Sequence, residues 1–282
     1  MSDSRSIPDW VDALISQAKD ADGSPPFSDG ALIEYRTGTR ELIAIDELAA
    51  ALLKENEAEF VVSPDARGRG NGTALLDTLI GRGATLFWAH GDHPAARALA
   101  KSHGLAPVRE LLHLAVELPV AGPSTSSGTV VENTAVPELV EGPRTEYFVV
   151  GSDEAEWIAL NALIFSDHPE QGDLTIADLR ELEAEPWFRA DTFILLRDGD
   201  RMVGYCWLKL EGGRGEFYVV GVHPDYQGRH LGSILFDAGL ARLAELGIHD
   251  AHLYVEGDND PALRLYRSRG FKTESIDIQY SA

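Results

Sequence analysis

The sequence predicts an α/β protein built as two tandem domains, each a mixed, mostly antiparallel sheet flanked by helices. Three observations lead there. Val62-Ser63-Pro64-Asp65-Ala66-Arg67-Gly68-Arg69-Gly70-Asn71-Gly72 is echoed in unbroken register by Val222-His223-Pro224-Asp225-Tyr226-Gln227-Gly228-Arg229-His230-Leu231-Gly232. Each copy follows an apolar run of strand character, residues 59–62 and 217–222, and precedes an amphipathic stretch of helical period, 73–80 and 233–246. A second block repeats at a larger offset: Trp88-Ala89-His90-Gly91-Asp92-His93 matches Tyr254-Val255-Glu256-Gly257-Asp258-Asn259, and Lys101-Ser102-His103-Gly104-Leu105 matches Arg267-Ser268-Arg269-Gly270-Phe271. Internal repeats set architecture before local propensity does, and 282 residues suffice for two domains with a core each.

The elements follow in order. Trp10, Val11, Leu14, Ile15 and Ala18 recur at helical spacing, so a helix is expected over 10–19. Asp22-Gly23-Ser24-Pro25-Pro26 breaks it, and Ser28 or Asp29 caps a short second helix. Strands are expected at 41–45, 49–53 and 59–62. From 119 to 144 the chain turns rich in Pro, Gly, Ser and Thr and reads as a linker between domains 1–118 and 145–282. The second domain is expected to open with a strand at 147–150 and a helix at 155–164. A loop at 168–172 and a helix at 176–185 come next. Strands at 193–196, 202–209 and 216–222 form a meander with turns at Asp198-Gly199-Asp200 and Gly212-Gly213. A helix over 259–268 ends before Gly270-Phe271.

The net charge of −22 argues against nucleic acid or an anionic membrane surface as partner. An anionic ligand therefore needs a locally basic site, which Arg67, Arg69 and Arg229 supply. One cysteine, Cys206, excludes an internal disulfide and fits a reducing compartment. Residues 1–20 show neither a basic leader nor an apolar core, and no run reaches membrane-spanning length. A cytoplasmic monomer acting on a small molecule, without nucleic acid, membrane or metal, is the expectation.

A strand, a Gly/Arg-rich turn and a helix start form an anion cradle, because inward N–H groups and the helix dipole favour negative charge. Neither copy closes with the Lys-Ser/Thr of a nucleotide P-loop, and neither is a GxGxxG fingerprint. Both resemble the [Gln/Arg]-x-x-Gly-x-[Gly/Ala] turn with which GNAT-type N-acetyltransferases hold the pyrophosphate of coenzyme A. His230 departs from the pattern, standing where the first copy has Gly70, and is expected to tighten the turn unless its φ is negative.

Acetyl transfer to an amine requires a held thioester, a base for the ammonium proton and an acid for the leaving thiolate. Glu216 opens the strand that runs into the second turn, so it suits the base; Tyr266, on the 259–268 helix, suits the acid. In the repeat register the first half has Asn56 and Ala100 at these places, which predicts a domain that binds and does not catalyse. Cys206, between Tyr205 and Trp207, reads as a buried apolar residue.

Five stretches carry a closer resemblance: Phe87-Trp88-Ala89-His90-Gly91, His168-Pro169-Glu170-Gln171-Gly172, Pro186-Trp187-Phe188, 215–222 and 253–259. On these the chain resembles the mycothiol synthase family, tandem GNAT enzymes that acetylate the cysteinyl amine of desacetylmycothiol (cysteinyl-glucosaminyl-inositol). The resemblance implies a catalytic C-terminal domain, an N-terminal domain that holds acetyl-CoA without turnover, and substrate lying between them. It implies substrate contacts at Asp29, Glu170, Lys209, Glu216 and Tyr254, with Glu216 the base and Tyr266 the acid. Acetyl-CoA contacts are implied at Phe60, Val61, Val62, Gly68, Arg69, Gly70, Asn71, Gly72 and Thr73. In the second half they fall on Val220, Gly221, Val222, Gln227, Gly228, Arg229, His230, Leu231, Gly232 and Ser233, then Asn259, Asp260, Pro261, Ala262, Leu263 and Arg264. A tandem GNAT enzyme for another amino sugar or small amine, or a non-catalytic acyl-CoA sensor, are the alternatives; Glu216 and Tyr266 speak against the sensor.

Overall fold

The computed structural model describes residues 5–119, 142–166 and 169–282, the side chains of Pro169 and Glu170 excepted. The expected linker thus falls almost wholly outside the described residues. Packing divides the chain into two compact units: Met1–Leu114 with Val255–Arg264 and Thr273–Ala282, and Ala115–Tyr254 with Leu265–Lys272.

In the first unit, α1 (Asp9–Asp22) stops at Gly23, whose φ of 77° closes the helix in the left-handed region that glycine adopts without strain. Ser28 caps α2 (Asp29–Thr37), its side chain accepting from Ala31 N at 3.1 Å. Asp29 is therefore the first helical residue, where the helix dipole favours its charge. β1 (Glu41–Ile45), β2 (Ala49–Lys54) and β3 (Glu57–Val62) form an antiparallel meander in continuous register from Ala49↔Val62 to Lys54↔Glu57. β2 is apolar on both faces. Ala50 and Leu52 pack towards Val11, Leu14 and Phe27, while Ala49, Ala51 and Leu53 pack with Leu75, Leu76 and Leu79 of α3 (Asn71–Gly81). The meander is thus a sheet with helices on both faces. β4 (Leu86–Ala89), α4 (Pro94–Ser102) and the long β5 (Ala106–Glu117) follow.

In the second unit the first strand is β6 (Arg144–Tyr147), a few residues earlier than the sequence suggested. After α5 (Glu154–Ile164), the stretch expected as a loop holds a short helix, α6 (Pro169–Gly172). Its place is set by close packing: a Cβ on Gly172 would lie 2.4 Å from Phe165 O, and Asn161 Nδ2 donates to Gln171 O. Then come α7 (Ile176–Glu183), capped by Thr175, and the antiparallel strands β7 (Phe193–Asp198), β8 (Arg201–Glu211) and β9 (Arg214–Val222). α8 (Leu231–Glu245), β10 (Asp250–Glu256) and α9 (Asp260–Ser268) complete the repeat. One face of this sheet carries Trp207, Phe193 and Val219, against Trp157 of α5; the other carries Phe217 against Phe236 of α8. Buried Arg197 ties β7 to Glu146, Asp153 and Glu156, satisfying a charge that burial would otherwise penalise.

The last strand, β11 (Lys272–Ser281), joins the first unit, pairing antiparallel to β4 from Ile278↔Ala89 to Ser281↔Leu86. The first unit's strand order is β1-β2-β3-β4-β11-β5, and the second's is β10-β9-β8-β7-β6. Neither β5 nor β11 was anticipated from the sequence.

Candidate active site

Each unit contains one pair of parallel strands that touch briefly and then part. β3 and β4 pair from Glu57↔Leu86 to Glu59↔Trp88, after which Phe60, Val61 and Val62 run on towards the first turn paired with β2 but no longer with β4. β9 and β10 pair at Gly215↔Ala251 and Glu216↔His252, after which the strand continues through Val220, Gly221 and Val222 to the second turn. Such a split leaves backbone N–H and C=O groups of the strand to bond a ligand instead of a neighbour.

The two turns have one geometry. Arg67 Nε donates to Val62 O at 3.2 Å, and Gln227 Nε2 donates to Val222 O at 3.4 Å, so the first side chain of each motif folds back onto its strand. Gly68 and Gly228 have φ of 72° and 75°. Gly70 and His230 follow in the same left-handed region, at 88° and 61°, as the caps of α3 and α8. The φ of His230 is thus positive, the condition under which the turn was expected to tighten. The turn is retained, at the strain cost of about 1–2 kcal/mol that a Cβ incurs there. Among the described residues, the N–H groups of Gly68, Arg69, Gly70, Gly228, Arg229 and His230 make no backbone hydrogen bond. Neither Gly72 nor Gly232 is forced by crowding: an added Cβ would meet nothing closer than 3.5 Å and 4.0 Å.

Not every expected basic group faces a ligand. Arg67 forms a two-point ion pair with Asp22 at 2.7 Å. Arg229 lies 4.8 Å from the ring centre of Tyr226. Asn71 Nδ2 is bonded to Ala66 O, and Asn259 Oδ1 accepts from Ala262 N at the start of α9. The stretch Asn259, Asp260, Pro261, Ala262, Leu263 and Arg264 packs with the first unit, while Gln227 to Ser233 belong to the second.

In the first unit the parting strands enclose a cavity of about 280 Å³. Phe60, Val61, Val62, Gly68, Gly70, Gly72 and Thr73 line it; Arg69 and Asn71 do not. His90, on its wall, is held between Asp277 (2.9 Å to Nδ1) and Glu59 (3.1 Å to Nε2), and Glu59 also accepts from Ser28 N and Oγ. Burial alone pushes the His90 pKa down; hydrogen bonds to Asp277 and Glu59 outweigh it and raise the pKa to about 10.

In the second unit, Lys209 of β8, Glu216 of β9 and His252 of β10 stand in one cross-strand row, Lys209↔Glu216 and Glu216↔His252. Registered partners share a face, so the three side chains are neighbours. Tyr254 lies two residues beyond His252 on the same face, their rings 6.3 Å apart. Lys209 is buried, 5.5 Å from the ring centre of Trp187 and 3.0 Å from Glu211 Oε2. Trp187 in turn packs against Trp207 and Tyr218. Lys209, Glu216 and Tyr254 are thus brought together. Glu170 lies on α6, its side chain outside the described residues, and Asp29 lies exposed on α2 of the first unit.

Glu216 reaches that row through a β-bulge. Trp207 pairs with Val219 but Leu208 pairs with Phe217, so Tyr218 is one residue extra in β9. β3 has no such insertion, and the repeat register therefore slips by one before the bulge. The structural counterpart of Lys209↔Glu216 is Lys54↔Glu57. The reading that Asn56 replaces the base is corrected: the first unit does carry a carboxylate there. That carboxylate is committed, Oε1 to buried Arg40 at 2.7 Å and Oε2 to Trp88 Nε1 and Gln279 Nε2.

Tyr266, on α9, is half-buried and packs 4.9 Å from Phe236. Burial, and secondarily the proximity of Cys206, push its phenol up to about 12, so it carries its proton throughout the neutral range. Ala100 is its counterpart on α4: Leu105 N bonds to Ala100 O as Phe271 N bonds to Tyr266 O. Cys206 is fully buried, and burial pushes its thiol up, so it is inert as expected. His252 was not singled out in the sequence, and Trp187 and Tyr218 were quoted only within motifs; strand alternation around Glu216 was the available signal for His252.

Two strand–turn–helix repeats, each with a split pair of parallel strands, fit the fold of an acetyl-CoA-dependent N-acetyltransferase, and residues 157–271 match the Acetyltransferase (GNAT) family. A GCN5-related N-acetyltransferase from Sphaerobacter thermophilus superposes with a TM-score of 0.71 at 21% identity, covering 97% of this chain and 91% of that one, which shows the fold. The mycothiol acetyltransferase of Clavibacter sepedonicus is 41% identical over 95% of this chain and 90% of its own length. That of Saccharomonospora viridis is 41% identical over 97% and 94%. The chain belongs to the mycothiol acetyltransferase family. Among the described residues no helix is long and apolar enough to cross a membrane.

Proposed function

We propose that the second unit transfers the acetyl group of acetyl-CoA to the cysteinyl amine of desacetylmycothiol, giving mycothiol and CoA, and that the first unit binds acetyl-CoA without transfer. The observation that carries the chemistry is the Lys209–Glu216–His252 row beside the split of β9 and β10. Glu216 takes a proton from the substrate ammonium, and the freed amine nitrogen forms the C–N bond. As the C–S bond breaks, the sulfur receives its proton from Tyr266, whose phenol is protonated at neutral pH. Lys209 and Tyr254, which share the face of Glu216, orient the sugar and inositol hydroxyls, for which charge-assisted hydrogen bonds are the strongest available. The names of the relatives support the substrate assignment. Following CoA release with desacetylmycothiol against a panel of glucosamine, other amino sugars and small amines tests it. Desacetylmycothiol should be preferred by orders of magnitude in kcat/KM; equal turnover of glucosamine would sink the assignment.

A further inference from the structure

Four aromatic side chains pack together in the second unit. Phe217 stacks on Phe236 with ring centres 4.1 Å apart, and Phe236 meets Tyr266 at 4.9 Å and Phe271 at 5.4 Å. The first unit has none of these rings. Leu53↔Ala58 occupies the place of Leu208↔Phe217, so Ala58 stands for Phe217. Leu76 follows Gly72 on α3 as Phe236 follows Gly232 on α8. α4 and α9 end in the same pattern, with Gly104 N to Lys101 O matching Gly270 N to Arg267 O, which aligns Ala100 with Tyr266 and Leu105 with Phe271. Leu76, Ala100 and Leu105 all line the 280 Å³ cavity, and Phe87 and Tyr280 join them. The same cavity reaches Gly68, Gly70 and Gly72 of the phosphate turn.

We propose that the cavity of the first unit binds acyl-CoA thioesters whose saturated acyl chain is longer than acetyl, such as butyryl or hexanoyl, with the chain among Leu76, Ala100, Leu105 and Tyr280. The inference rests on reading the first turn as a coenzyme A cradle. Coenzyme A seated on the turn fills the Gly68–Gly72 end of the cavity, while Leu76, Phe87, Ala100 and Leu105 line its other part with apolar groups that a longer acyl chain can cover. Each methylene added to the chain gains about 0.8 kcal/mol on burial, roughly a fourfold tightening. In the second unit the four rings stand at the corresponding positions, so the two sites differ in chain-length preference.

Calorimetry on the full chain carrying Gly232→Glu, with CoA, acetyl-CoA, butyryl-CoA and hexanoyl-CoA, reads the first site. The dissociation constant is expected to fall about fourfold per methylene. Ala100→Tyr and Leu76→Phe, each checked by its melting curve, should flatten the series while retaining CoA itself; should one fail to fold, the other decides. A flat series in the parent protein, or a slope that survives in a folded filling variant, overturns the chamber alone. Loss of all CoA binding at the first turn, with Gly72→Glu making no difference, overturns the cradle reading beneath it.

Discussion

Lys209 and Glu216 stand directly opposite each other across β8 and β9, and Lys54 and Glu57 stand opposite each other at the same place across β2 and β3. The repeat has therefore kept its lysine–glutamate pair in both units and changed what surrounds it. In the first, Arg40, Trp88 and Gln279 hold the Glu57 carboxylate, and Ala100 leaves no acid. A carboxylate ion-paired to a buried guanidinium is a poor base, since protonating it would strand that charge.

Glu216→Gln should lower kcat by about 10²–10⁴-fold at neutral pH. The loss should shrink as pH rises, because the substrate amine then arrives already deprotonated. Stopped-flow or steady-state acetylation across the pH range of stability reads this. A loss that stays constant with pH would remove the base assignment.

Tyr266→Phe should slow transfer with little change in KM for the amine, since the phenol is proposed to act at the leaving sulfur. With its pKa raised to about 12, Tyr266 contributes no inflection to the wild-type pH–rate profile below about pH 11. An alkaline limb that starts near pH 9 in wild type and disappears in Tyr266→Phe would contradict that picture.

Much of this was legible in the sequence because the repeat is written in residues with strong backbone demands. Gly68, Gly70 and Gly228 sit at positive φ, and Pro64 and Pro224 open the short helical turns before them. What was illegible has physical reasons too. The bulge at Tyr218 changes no composition, only a pairing, so the one-residue slip from Asn56 to Glu57 needs coordinates. β11 pairs with β4, far away in sequence, and nothing in 272–281 announces a partner. His90, quoted only as part of a motif, acquires its meaning from Asp277 on that strand.

His90 yields a stability prediction. Its pKa is raised from 6.5 to about 10 in the fold, so the stabilisation is fully present below about pH 6.5 and is lost as pH rises through about 10. The melting temperature of wild type should fall over that interval more steeply than that of His90→Gln. Parallel curves would show that the Glu59–His90–Asp277 cluster does not depend on the imidazolium.

His230→Gly should stabilise the second unit by about 1 kcal/mol, because glycine adopts a φ of 61° without the Cβ penalty. Thermal unfolding would show it as a rise of roughly 2–4 °C for a domain of this size. No rise, with the turn intact by acetyl-CoA affinity, would mean that the imidazole makes up the strain by contacts of its own.

The two turns should also prove functionally unequal. A carboxylate placed in either repels a pyrophosphate and blocks its approach to the N–H groups at the helix start. Both sites accept a side chain sterically, the nearest atoms to an added Cβ being 3.5 Å away at Gly72 and 4.0 Å at Gly232, so each variant is expected to fold. Gly232→Glu should abolish acetylation, because the proposed base Glu216 and acid Tyr266 both lie in that unit. Gly72→Glu should keep most of the turnover and lose one acetyl-CoA per chain in calorimetric stoichiometry. Activity lost in a folded Gly72→Glu, or retained in Gly232→Glu, would place catalysis in the other half of the chain.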